Sequence, residues 1–174
     1  AGFSSATLIN NAGLLGPVGP IDRSEAEQLA AVLRVDLEAP MLLTAAFLRA
    51  TRNWAIERRV LNISSGAGRR PIVGWAAYCA AKAGVDHYSR VVALDEERLP
   101  NPVRIVSLAP GVIDTDMQGE LRAAEPAGFP DQFHFVELKA SGQLPTPQAA
   151  AQRVLAYLAR PDFGTQPVAD VRDA

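Results

Sequence analysis

Arg59-Val60-Leu61-Asn62-Ile63-Ser64-Ser65-Gly66-Ala67-Gly68, followed a little later by Tyr78-Cys79-Ala80-Ala81-Lys82, is the stretch that decides how this chain folds. Its first half is short, apolar and β-branched, and it stops at turn-forming glycines, so it reads as a buried strand with Ser65 at its carboxyl end. In open α/β sheets ligands bind beyond that end. Tyr78 and Lys82 stand four residues apart, so on a helix they share a face. An ammonium beside a phenol favours the phenolate and lowers a pKa ordinarily near ~10, which makes the pair an acid–base device. A Tyr-x-x-x-Lys pair alone is more often a surface pair; the serine at a strand end gives this one its weight.

Outward from that stretch, strands and helices alternate. Ala6-Thr7-Leu8-Ile9 and Val103 to Leu108 read as further strands, and a short last one is expected near Pro167 to Asp170. A long helical pattern runs from about Glu25 to Arg52, with Ser24 as N-cap and Pro40 placed to kink or divide it. Met41 to Leu48 is apolar on nearly every side, with Thr44 its only polar residue, and is expected to be buried between the sheet and a partner subunit. A second helix, Ala76 to Glu97, must stop before Leu99-Pro100-Asn101-Pro102, and a third spans Pro147 to Ala159. This alternation implies an α/β fold with parallel strands. The stretch 116–144 is too long for an ordinary connection and carries Phe129, Phe133 and Phe135. It reads either as a substrate lid or as a segment disordered until ligand binds.

Composition bounds the function. At 174 residues, 48% hydrophobic and 21% charged, the chain suits one soluble domain over residues 1–174. A formal net charge of −2 offers no footprint for nucleic acid or anionic membrane. Cys79 is the only cysteine, which excludes an intrachain disulfide and a cysteine metal cluster, so no metal is expected and a reducing compartment is. No apolar run reaches the length of a membrane span and the N-terminus carries no signal-like pattern, which makes the cytoplasm the default location.

Four motifs in order make the chain resemble the short-chain dehydrogenase/reductase family. Asn10-Asn11-Ala12-Gly13 follows the first strand, Ser64-Ser65 the second, Tyr78 to Lys82 opens the long helix, and Pro110-Gly111-Val112-Ile113-Asp114-Thr115 follows the third strand. Asp114 to Gln118, Leu138 to Leu144 and the closing Val171-Arg172-Asp173 look like the sepiapterin reductase and bacterial benzil reductase branch. The resemblance implies the C-terminal part of a Rossmann-type parallel sheet with flanking helices, in three layers, comprising the family's strands 4 to 7. It implies reduction of a ketone or diketone with NADP or NAD. Tyr78 would be the general acid, Ser65 the hydrogen-bond donor to the carbonyl oxygen, and Lys82 the group that tunes the phenol and holds the nicotinamide ribose. Asn11, Ile113 and Thr115 would contact the cofactor, and the long apolar helices suggest a homodimer or homotetramer. The family's glycine-rich phosphate turn is absent. The chain begins at Ala1-Gly2-Phe3 without an initiator Met, and truncation, proteolysis or a misassigned start is the expected cause rather than natural loss.

One position departs from the family pattern. Val35-Asp36-Leu37 stands where an asparagine takes part in a proton relay, and a carboxylate buried there is costly unless paired. Asp170 resembles the residue that anchors the substrate amino group in sepiapterin reductase, although a turn aspartate at a strand end is the simpler account. His87 falls on a different helix face from the Tyr78 and Lys82 pair; His134 belongs to the lid segment, and Trp75 either walls the pocket or merely packs. Two function classes stay open: the carbonyl reductase, and a non-catalytic Rossmann-like remnant that self-associates through apolar helices and the edge of its first strand.

Overall fold

The structure, a computed structural model, describes residues 2–173, so the two ends of the expected 1–174 unit lie outside the described residues. Four strands, β1 (Ser5–Asn10), β2 (Glu57–Ile63), β3 (Arg104–Ala109) and β4 (Val168–Asp170), form one parallel sheet in the order β1-β2-β3-β4. Asn10 pairs in register with Asn62, and Asn62 with Ser107. The carboxyl ends of three strands are therefore level, and the residues that follow each of them emerge on one side.

Helices cover both faces. The first crossover carries α1 (Ala26–Leu33) and α2 (Ala39–Thr51), the second α3 (Ala76–Glu96), and the third α4 (Asp116–Ala123), α5 (Gln132–Ala140) and α6 (Pro147–Leu158). On one face Val60, Val103 and Ile105 pack with Phe47, Leu48, Tyr88 and Val92 from α2 and α3. On the other, Leu61, Val106, Leu108 and Phe163 pack with Val154, Tyr157 and Leu158 of α6 and its following turn. Each such side chain, fully withdrawn from water, contributes about 1.5–3 kcal/mol. The result is the expected three-layer α/β arrangement.

One local expectation is corrected. Glu25, not Ser24, caps α1: its N–H donates to the Gln28 side chain at 3.3 Å, while Ser24 closes the preceding turn. The expected division at Pro40 takes the form of a wider turn over Arg34–Glu38, which separates α1 from α2 and where the Ala39 N–H reaches back to the Arg34 carbonyl. Pro40 has no N–H to give the carbonyl of Asp36, and the preceding turn relaxes to the wider spacing. In the single chain, Met41, Leu42 and Leu43 are 46%, 62% and 52% exposed, on the face expected to meet a partner subunit, whereas the polar Thr44 is buried. Pro40, Thr44 and Thr51 define the inward stripe, and Thr44 belongs there because it lies within reach of the buried Asn10 amide, at 3.4 Å.

The segment 116–144 is neither a bare loop nor an open flap. It forms α4 and α5, and Leu121, Phe129 and Phe135 bury themselves against Leu15, Ala67, Trp75 and Tyr78. Phe133 points to solvent. Trp75 stacks on Phe129 with ring centroids 5.4 Å apart, and Phe129 stacks on Phe135 at 5.7 Å.

Candidate active site

Alternation along a strand sorts two pairs of identical neighbours. Asn10 turns inward and donates to the Asn62 side chain at 2.7 Å, leaving the exposed Asn11 beyond the strand end. Ser64 likewise turns inward, its hydroxyl donating to Asp86 Oδ1 at 2.6 Å, a carboxylate that also accepts from Ser107 at 2.6 Å. Ser65 is left facing the cavity, its hydroxyl accepting from the Ala67 N–H at 3.2 Å.

Tyr78 lies in the first turn of α3 and is 8% exposed, edge-on to Trp75 at 5.4 Å. Lys82 follows one turn later and is also buried, with Nζ 5.4 Å from the centre of the Tyr78 ring. That ammonium donates to the Ile63 carbonyl at 3.2 Å and pairs with Asp36 Oδ2 at 3.1 Å. Asp36 comes from the widened turn and is 1% exposed, and its Oδ1 accepts the Leu14 N–H at 2.6 Å. Gly13 lies beside the pair: a Cβ there would meet Asp36 Oδ2 at 3.4 Å and Lys82 Nζ at 3.6 Å, ordinary contact distances.

A cavity of about 710 Å³ joins these groups, and its lining includes Asn11, Ser65, Tyr78, Lys82, Ile113, Thr115 and Asp170. All seven residues nominated from the sequence thus reach one space. Gly111, at φ +81°, turns the chain out of β3 so that Val112 to Thr115 pass along the cavity wall. Asp170 ends β4 with its carboxylate engaged: the Arg172 guanidinium donates at 2.8 and 2.6 Å and the Arg172 N–H at 3.0 Å. That guanidinium, helped by the backbone, holds the Asp170 carboxyl below its usual range against the opposing effect of burial. His134 borders the cavity from α5, and His87 is exposed on α3.

One electrostatic expectation is reversed. Burial pushes the Tyr78 phenol up to about 12; the Ser65 hydroxyl opposes that shift, while the Asp36 carboxylate and Cys79 add to it. The Lys82 ammonium that was expected to lower it lies 5.4 Å from the ring centre and also faces the Asp36 carboxylate at 3.1 Å. The signal for Asp36 was present in the sequence as an acid between two apolar helix residues. Only the fold shows which cation it meets.

The cavity's donors fit the nicotinamide and ribose end of a dinucleotide. Lys82 offers an ammonium, Asn11 an amide and Thr115 a hydroxyl, and the space where a Gly111 side chain would project is open. A serine, a tyrosine and a lysine gathered beyond the strand ends of a parallel α/β sheet define the dehydrogenase and reductase type of dinucleotide-fold protein. The family model for short chain dehydrogenase matches residues 6–126, and the chain belongs to that family.

Relatives agree. The chain is 42% identical over 160 residues to benzil reductase ((S)-benzoin forming) of Bacillus cereus, covering 92% of this chain and 64% of that protein. Against sepiapterin reductase of Bos taurus the identity is 34% over 166 residues, covering 93% of this chain and 60% of that protein. A solved short chain dehydrogenase/reductase from Saccharomyces cerevisiae matches with a TM-score of 0.81 at 25% identity, covering 96% of this chain and 66% of the other. The chain therefore spans less than two thirds of the length of these two reductases.

Proposed function

We propose that this chain carries the acid–base and nicotinamide-facing part of an NAD(P)-dependent reductase of ketones or diketones. The observation that carries the proposal is the meeting of Ser65, Tyr78 and Lys82 on one cavity at the strand ends. When bound, a reduced nicotinamide supplies the hydride for the carbonyl carbon. Tyr78 donates its phenolic proton to the carbonyl oxygen, and its raised pKa keeps that proton in place at neutral pH. Ser65 donates a hydrogen bond to the same oxygen as negative charge develops on it. Lys82 orients the ribose, while Asn11, Ile113 and Thr115 line the cofactor's path.

The substrate side is apolar. Ile72, Trp75, Met117, Leu121 and Phe135 border the cavity, a wall suited to an aromatic or bulky ketone, and the similarity to a benzil reductase supports an aryl diketone. The α4–α5 segment acts as a lid that keeps water from the reacting carbonyl. NADP is favoured over NAD by the resemblance to that branch of the family. Self-association as a dimer or tetramer has the exposed Met41, Leu42, Leu43, Val91 and Leu94 of α2 and α3 as its apolar surface.

Two measurements test the proposal. Nicotinamide fluorescence on titration with NADPH should saturate, and benzil should be reduced. Tyr78→Phe should lower reduction by at least ~10²-fold while cofactor still binds. Undiminished turnover in Tyr78→Phe would remove the assigned acid, and the absence of any cofactor saturation would favour the self-associating remnant.

A further inference from the structure

Behind the Tyr78 and Lys82 pair stands a carboxylate that the proton transfer above does not use. Asp36 is 1% exposed and faces the Lys82 ammonium at 3.1 Å, while its other oxygen is held by the Leu14 N–H at 2.6 Å. A buried carboxylate is tolerated where a cation and hydrogen bonds compensate it, and Asp36 has both. Lys82 is anchored in return. With Ile63 O and Asp36 on two sides of the ammonium, the remaining donor is left for the cavity.

The electrostatic consequence reaches Tyr78. An isolated ammonium 5.4 Å from the ring would stabilise a phenolate strongly in a water-poor site, whereas an ammonium paired with a carboxylate presents a dipole whose field largely cancels. The other charged groups nearby are matched among themselves: Asp86 with Arg69 at 3.4 Å, and Asp170 with Arg172 at 2.6 Å. Arg70 and Asp173 border the cavity, His134 borders it from α5, and Cys79 adjoins Tyr78 on α3.

We propose that Asp36 is a positioning residue that fixes Lys82 and cancels its charge at Tyr78, so that the general acid of the proposed reduction stays protonated further into the alkaline range than a lone ammonium beside it would allow. The functional half rests on the reductase assignment above; the electrostatic half does not. The test reads both. Phenolate absorbance after rapid pH jumps, recorded before the protein unfolds, follows tyrosine ionisation in this chain without cofactor, and a Tyr78→Phe background assigns the Tyr78 signal. Asp36→Asn should lower the Tyr78 midpoint by about one pH unit or more, leaving Tyr88 unmoved, and Asp36→Glu should restore it.

The double variant Asp36→Asn, Lys82→Met leaves no unpaired buried charge and serves where the single variant fails to fold. Its Tyr78 midpoint should return close to that of the parent. In turnover, Asp36→Asn should move the alkaline limb of the pH profile for reduction downward by about the same interval. A folded Asp36→Asn protein with an unmoved Tyr78 midpoint, or a double variant that differs widely from the parent, would overturn the proposal. Absence of turnover in the parent would instead count against the reductase assignment and leave the titration readable.

Discussion

The two walls of the cavity are built from opposite materials. The wall formed by β2, β3, α3 and the widened turn is polar and held by an ion pair and hydrogen bonds: Asp36 with Lys82 and Leu14, and Asp86 with Ser64 and Ser107. The wall formed by α4, α5 and the loop before α3 is aromatic, with the rings of Trp75, Phe129 and Phe135 packed at centroid distances of 5.4 to 5.9 Å. The first holds charges that must keep their geometry, because a buried ion has no good alternative partner. The second excludes water by dispersion and burial, interactions that tolerate small shifts. A reductase site needs both, and here they come from separate crossovers of the chain.

Breaking the aromatic wall should produce the largest change in stability. Phe129 is fully buried, and Phe129→Ala should cost about 3–5 kcal/mol in urea unfolding, with α4 and α5 losing hydrogen-exchange protection before the sheet does. If the sheet opens first, the two walls are not separable. On the polar wall, Ser65→Ala should reduce carbonyl reduction by about 10²-fold, the scale for losing one donor to a developing oxyanion, with little change in unfolding. Loss of stability comparable to the Phe129 variant would mean that Ser65 is a structural residue.

Alkaline pH sharpens the contrast further. Burial raises both Tyr78 and Tyr88 to about 12 in the folded chain, against a value near ~10 when unfolded. The unfolded state thus gives up these protons first, so stability is intact below pH ~10 and falls as pH climbs to ~12, by on the order of 2 kcal/mol for each phenol. Tyr88→Phe should flatten that decline by about half in denaturant midpoints measured across the range; an unchanged slope would contradict the assignment. The smallest effect is expected outside both walls. Leu42→Asp, at a position 62% exposed, should change unfolding of the monomer by under ~0.5 kcal/mol and alter only the mass observed by light scattering. A large loss of stability would show that α2 is packed more tightly than its exposure indicates.

Much of the polar wall could be read from the sequence because its signals are local. The strand ending at Ile63 and the i, i+4 spacing of Tyr78 and Lys82 are backbone periodicities, and they hold in the structure as β2 and α3. The aromatic wall was harder to read. The segment that becomes α5 has little helical pattern of its own, and it and α4 are held by the aromatic cluster around Trp75, far away in sequence. α2 needed the fold for its orientation. It carries more apolar residues than its inward stripe accepts, so Met41, Leu42 and Leu43 are left on the face expected to meet a partner subunit, while Thr44 turns in toward Asn10.

Residue order alone determined the alternation of strands and helices, the parallel pairing and the candidacy of Ser65, Tyr78 and Lys82, because each depends on period and spacing over a few residues. Tertiary structure decided the sign of the Tyr78 shift, the pairing of Lys82 with Asp36 and the engagement of Asp170 by Arg172. Burial, and the field from groups brought together by folding, set how tightly a proton is held, and for Tyr78 and Asp36 those partners lie 42 residues apart in the chain.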